Sequence, residues 1–153
     1  MPTPQFGEPG LEDPYPDRAA AFAIVEHERR IALVEVDRIG RGRVLDLPGG
    51  GIDPGEAAVE AAARECGEEA GLVVALDAEP FAHADHFFRH SDGVVRNTRG
   101  AFFAGRMLSI DPARKIEDDH DLVWLDPYAA LERLDRDSHA WAVAAWLRLR
   151  ARA

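Results

Sequence analysis

Gly49 to Leu72 reads GGGIDPGEAAVEAAARECGEEAGL, and this stretch decides the fold. Its three glycines permit backbone conformations and close ligand approach that a side chain would block. Asp53, Pro54 and Gly55 then form a turn, because Pro54 cannot lie inside a helix. The alanine-rich run that follows predicts a helix from near Glu56 to Gly71, where glycine supplies a left-handed stop. At about 100° of rotation per residue, Glu65, Glu68 and Glu69 share one arc, and Val59, Ala63, Cys66 and Ala70 form a separate packing stripe. Ala57, Ala58, Ala61 and Ala62 are small enough for loops or a ligand to come near the acidic face.

Three carboxylates within one turn repel each other by a few tenths of a kcal/mol per pair. They also sit near the helix C-terminus, where the macrodipole disfavours anions. Such a local conflict marks function overriding stability, and a hard divalent cation with oxygen ligands resolves it. A solvated acidic face is the ordinary explanation of a charge run. The spacing argues otherwise: Gly50, Glu56, Arg64-Glu65, Glu68-Glu69 and Gly71 stand at fixed intervals. Seven such identities coincide by chance roughly once in ten million start positions.

The arrangement resembles the Nudix box, complete from Gly50 to Leu72 at the family's fixed positions. Cys66 stands where a branched aliphatic is more usual, and Gly67 is a weak helix former, costing about 1 kcal/mol relative to alanine. The resemblance implies an α/β fold, a Nudix-type α/β/α sandwich with a mixed β-sheet. It implies hydrolysis of a nucleoside diphosphate linked to another moiety, with Mg2+ or Mn2+ as cofactor. By the same likeness Glu65, Glu68 and Glu69 are metal-binding carboxylates, one of them the candidate base. Arg64 orients Glu65, Glu56 is a supporting outer carboxylate, and Gly49 offers a backbone carbonyl. The chemistry agrees, since water attacking a phosphoanhydride needs an aligned nucleophile and neutralised phosphate oxygens.

Working outward, residues 1–17 hold Pro2, Pro4, Pro9, Pro14 and Pro16 and read as an irregular arm, with a single domain over 18–153. Ala20 to Val25 and Ile31 to Val36 read as a hairpin around Glu26 to Arg30, and Val44 to Leu47 as a short strand leading into the glycines. Beyond the box, Val73 to Ala75 and Glu79 to Phe88 look extended, with a hairpin around Ser91 to Gly93. Arg89, Arg96 and Arg99 cluster there as candidate phosphate contacts, guanidinium being suited to bidentate binding. Phe87, Phe88, Phe102 and Phe103 suit either core or base stacking. His83, His86 and His90 lack the spacing of a closed zinc site and read as strand or pocket residues.

The loop Lys115 to Asp121 is acidic and precedes a strand over Leu122 to Leu125. By family likeness it offers a further metal ligand, Glu117 first and Asp118 or Asp119 next. Pro127 opens a helix through Leu134 with Asp126 as N-cap. Ser138 is expected to cap the last helix, which turns Trp141, Ala142, Ala145, Trp146 and Leu149 toward the sheet.

The chain has 153 residues, enough to bury a core without disulfides, and 46% are hydrophobic. Its apolar runs are too short to span a bilayer, so no membrane partner is expected. A net charge of −10 repels a nucleic acid polymer but leaves a small-molecule nucleotide substrate open. One cysteine and no secretory leader suggest a cytoplasmic protein. The best substrate reading is a (deoxy)nucleoside triphosphate pyrophosphohydrolase, with ADP-ribose or a nucleotide sugar as the alternative. A non-catalytic nucleotide-binding Nudix module is the alternative of another class, and a homodimer remains open.

Overall fold

The computed structural model describes residues 2–10, 15–90 and 92–153. Parts of the arm expectation, including Pro14, and the Ser91 end of the hairpin turn lie outside these residues. Among the described residues nine strands form one mixed sheet. They are β1 (Gln5–Phe6), β2 (Asp17–His27), β3 (Arg30–Arg38), β4 (Gly42–Asp46), β5 (Gly49–Gly51), β6 (Leu72–Leu76), β7 (Ala82–Arg89), β8 (Val95–Ile110) and β9 (Asp121–Leu125). Three α-helices accompany them: α1 (Ala58–Ala70), α2 (Pro127–Arg133) and α3 (Asp137–Ala151).

The path through the sheet runs β1-β7-β8-β2-β3-β4, with β5 against β2, β6 against β8 and β9 against β3. The expected hairpin exists but is short. Glu28 and Arg29, at φ 50° and 66°, make the tight turn that positive φ at both central residues allows. Only Glu26↔Ile31 and His27↔Arg30 pair across it. The strands then part: β2 runs parallel to β8 and takes β5 on its other side, while β3 joins β4 and β9. That parting leaves a cleft in the middle of the sheet.

Both faces of β2 are buried, so it reads as a continuous apolar run. Ala20, Phe22 and Ile24 face a core completed by Leu33, Phe102, Val143 and Trp146 under α3. Ala21, Ala23 and Val25 face the core under α1, with Ala61, Ala62, Cys66, Leu72 and Phe103. This is the expected α/β sandwich on a mixed sheet.

Several local expectations shift. The first helix begins at Ala58, two residues after Glu56, which stays in the preceding turn with its amide donating to the Asp53 carbonyl. Its packing face includes Ala61 and Ala62, both fully buried, whereas Val59 and Ala63 are only half-buried. Ser138 does not cap α3: Arg136 is the N-cap residue, without a side-chain bond, and Ser138 Oγ instead meets His86 Nδ1 at 2.9 Å. Leu149 is exposed, while Ala142 and Trp146 are buried as expected. Gly71 ends α1 at φ 68°, and Asp126 caps α2 by accepting from the amides of Tyr128 and Ala129. No described helix is long and apolar enough to cross a membrane.

Candidate active site

Strand β5 is glycine throughout because two neighbours leave it no room. A Cβ at Gly49 would strike the Ala21 carbonyl, and its φ of 153° disfavours any side chain. A Cβ at Gly50 would lie 2.9 Å from Glu65 Oε1. Glycine therefore lets β5 pass between β2 and α1, which sets the glutamates of α1 directly over the backbone.

Arg64 organises the carboxylates. Its Nε donates to Glu56 Oε2 at 2.8 Å and its Nη2 to Glu56 Oε1 at 3.0 Å. Nη1 reaches both Glu65 Oε1, at 3.1 Å, and Glu68 Oε2, at 3.0 Å, and Nη2 also holds the Gly51 carbonyl at 3.1 Å. These charged hydrogen bonds hold Glu56 below the usual carboxylate range, with help from the Asp53 amide. The same contact with Glu56 raises Arg64 above its already high value.

Glu69 departs from the helical-arc picture. It is buried, and its Oε1 accepts from the Gly49 amide at 2.9 Å. Its Oε2 pairs with His120 Nε2 at 3.0 Å. Contact with Glu69 lifts His120 to about 9, while burial pushes the Glu69 carboxyl upward against the pull of His120 and the Gly49 amide. Burial, then the nearby Glu69, raises Glu65 to about 7.

The loop of residues 115–121 is fastened to the end of α1, where the Glu68 carbonyl accepts from the amides of Ile116 and Glu117, both at 3.0 Å. This delivers Glu117 to the helix. One carboxylate oxygen from each of Glu65, Glu68 and Glu117 lies within 4.8 Å of the others, and a second such group joins Glu117, Asp119 and His120. His83, His86 and His90 belong to neither group. Three clustered carboxylates, one with its pKa raised by burial and by a neighbouring carboxylate, fit a hard divalent cation by donor type and by charge.

Beside the glutamates, in the parting of β2 and β3, lies a cavity of about 410 Å³. Gly49, Glu69 and His120 line its end nearest the carboxylates, and Phe22, Phe88, Arg38 and Arg136 line its wall. The Arg136 guanidinium stacks 3.8 Å from the centre of the Phe88 ring. Phe102 and Phe103 are core residues, and Phe87 meets Tyr15 edge-on.

The three arginines expected to contact phosphate separate. Arg89 lines the cavity and donates to the Gly93 carbonyl. Arg96 binds Asp92 in a neighbouring depression. Arg99 is engaged by Asp17, at 3.0 Å, and Asp85, at 2.9 Å. Arg38, His120 and Arg136, which line the cavity, were not among the residues expected there. His120 carried a signal, lying within an acidic loop already singled out; the arginines come from distant segments with no shared spacing.

A glycine ribbon under a helix whose Arg64 knits together Glu56, Glu65 and Glu68 defines a recognisable class. A family model described as the NUDIX domain matches residues 14–147, and the chain belongs to the Nudix family. It is 48% identical over 60 residues to a Bacillus subtilis (strain 168) protein provisionally named 8-oxo-dGTP diphosphatase. That match spans 39% of this chain and 38% of the relative. A NUDIX hydrolase from Nitrosomonas europaea superposes with a TM-score of 0.72 at 21% identity, covering 86% of this chain and 89% of that one. A MutT protein from Methanosarcina mazei Go1 gives 0.70 at 19% identity, covering 91% and 99%. At these identities the structural likeness concerns the fold.

Proposed function

We propose that the protein is a hydrolase requiring Mg2+ or Mn2+ that cleaves a phosphoanhydride bond in a small nucleotide, with a (deoxy)nucleoside triphosphate as the best substrate class. The observation that carries this reading is the convergence of Glu65, Glu68 and Glu117 over a glycine strand. The provisional name of the Bacillus subtilis relative supports the triphosphate class.

Glu65, Glu68 and Glu117 would hold the cation, with Glu69 and the Gly49 carbonyl as the other candidate ligands. A bound divalent ion supplies charge neutralisation at phosphate oxygens and a more acidic water. The chain supplies the rest. Arg64 holds Glu65 Oε1, which leaves Oε2 to take a proton from the attacking water. Glu56 fixes Arg64 from outside, and the Gly49 amide and His120 fix Glu69. The neighbouring cavity offers the nucleoside a partly apolar wall, and Arg89 at its rim is a phosphate-contact candidate; Arg96 belongs to the depression beside it.

The test is turnover on a panel of nucleoside triphosphates, ADP-ribose and nucleotide sugars with Mg2+, for the wild type and for Glu65→Gln and Glu68→Gln. Each substitution is expected to lower kcat roughly 100-fold or more. Binding without turnover on any member would make the protein a nucleotide-binding module instead.

A further inference from the structure

We propose that Arg18, with Arg96 and His90 beside it, forms an anion subsite that takes a phosphoryl group of the substrate's polyphosphate chain. This rests on the phosphoanhydride reading above and adds a residue to it. Arg18 lies at the start of β2, on the face of β5 opposite the glutamates. Its Nη2 is so close to Gly51 that a Cβ there would lie 2.8 Å away. The carbonyl of the same Gly51 is held by Arg64, so one strand of backbone separates Arg18 from the Arg64–Glu65 pair.

Charge singles Arg18 out. In a chain with 28 acidic and 18 basic residues an arginine usually finds a carboxylate. Around this depression Asp17 is occupied by Arg99 and Asp92 by Arg96. Among the described residues no carboxylate lies within ion-pair distance of Arg18, whose Nη1 instead donates to His90 Nδ1 at 3.0 Å. Burial and the nearby Arg96 pull Arg18 below its ordinary pKa, against the more distant Glu65 and Asp92 carboxylates.

His90 adds a second, independent sign. A guanidinium can only donate, so Nδ1 accepts and the proton of the neutral ring sits on Nε2. That buried Nε2 has no partner among the described residues. The buried Nε2 donor and, across the ring from it, the Arg18 guanidinium are each left short of an acceptor. Arg18, Arg96 and His90 line a depression of about 340 Å³. His90 also lines the larger cavity, so the two spaces adjoin at this residue. A substrate with its nucleoside in the cavity and two phosphates at the glutamates has this depression within reach of a further phosphate.

The experiment measures binding of inorganic tripolyphosphate and of a non-hydrolysable α,β-methylene nucleoside triphosphate to the full chain with Mg2+, by calorimetry. Loss of a charged hydrogen bond to phosphate predicts binding roughly tenfold to a hundredfold weaker in Arg18→Ala. Arg18→Lys should recover part of the loss, and Arg133→Ala, an exposed charge elsewhere, should stay within about twofold of wild type. A nucleoside monophosphate should lose less than either triphosphate probe, a pattern that a purely structural role for Arg18 would not give. Should Arg18→Ala fail to melt cooperatively, Gly51→Ala, which displaces the guanidinium, is read in its place. Unchanged affinity in a folded Arg18→Ala, or equal losses for mono- and triphosphate, overturns the subsite. So does the absence of polyphosphate binding by the wild type. Binding that depends on Arg18 without turnover on the substrate panel overturns hydrolysis and leaves the subsite standing.

Discussion

Glu65 and His120 hold their protons more tightly in the folded chain than in the unfolded one, for different reasons. Burial and Glu69 raise Glu65 to about 7 from an ordinary 4.5, and the bond to Glu69 raises His120 to about 9 from 6.5. A raised folded pKa gives stability that is complete below the unfolded value and lost as pH rises through the folded one. Without divalent cations, the Glu65 contribution should therefore fade between about pH 4.5 and 7, and that of His120 between about 6.5 and 9. Thermal melting in EDTA across this range should show both losses, with Glu65→Gln removing the lower and His120→Gln the upper. Added Mg2+ should raise Tm most above pH 7, where the carboxylates are fully charged and binding to the native state is strongest. A Tm that rises with pH in EDTA would contradict both assignments. At this scale the spacing of Glu56, Arg64, Glu65 and Glu68 announced a group of side chains that the structure does bring together around one guanidinium. It did not show that Glu69 is buried. Helical periodicity gives an azimuth, whereas the approach of β5, set by the absence of side chains at Gly49 and Gly50, decides which carboxylate is enclosed.

Helix α1 contains one glycine and stops at another, with opposite meanings. Gly67 lies inside the helix, and a Cβ there would meet Arg114 carbons at 3.5 Å, an ordinary packing distance. Gly67→Ala should stabilise the protein by about 0.5–1 kcal/mol by removing backbone freedom from the unfolded chain. Gly71 has φ 68°, and its Cβ would also press on the Asp111 carbonyl at 3.2 Å. Gly71→Ala should destabilise by about 1–2 kcal/mol. Urea denaturation of the two variants checks both signs, and an unchanged midpoint for Gly71→Ala would show that the chain relaxes away from the left-handed cap. Most elements could be read locally: both ends of α1 to within two residues, the Asp126 cap, and the strands flanking the box. The brevity of the β2/β3 pairing could not. Both strands are apolar on both faces whichever partner they take, and the ten-residue register of β2 with β8 joins segments far apart in the sequence.

Across the whole molecule, the sheet parts between β2 and β3, and a buried polar group closes one side of the opening. Arg38 Nη2 meets Asp46 Oδ2 at 2.5 Å and its Nη1 meets Asp135 Oδ2 at 2.6 Å. Asp135 is tied by its amide to the Leu45 carbonyl, and His139 Nδ1 accepts from the Leu47 amide at 3.1 Å. The group thus joins β3 and β4 to the segment between α2 and α3. No local pattern announced it, because Arg38, Asp46, Asp135 and Arg136 are surface-type residues whose enclosure depends on where that segment docks. Burial pushes the Asp46 pKa upward, but Arg136 and Arg38 outweigh it and hold Asp46 down at about 2. Its contribution to stability is therefore kept at neutral pH and lost progressively as pH falls from the ordinary 3.8 through about 2. Removing one partner of a buried pair strands the others' charge, so Asp46→Ala should cost about 3–5 kcal/mol in urea denaturation. Asp121→Ala breaks the exposed pair with Arg43 and should cost less than about 1 kcal/mol. Equal costs for the two would mean that water reaches Asp46 through the cavity it lines. In that case the wall formed by Arg38 and Arg136 would be open to solvent, and not a fixed surface against which a nucleoside can be held.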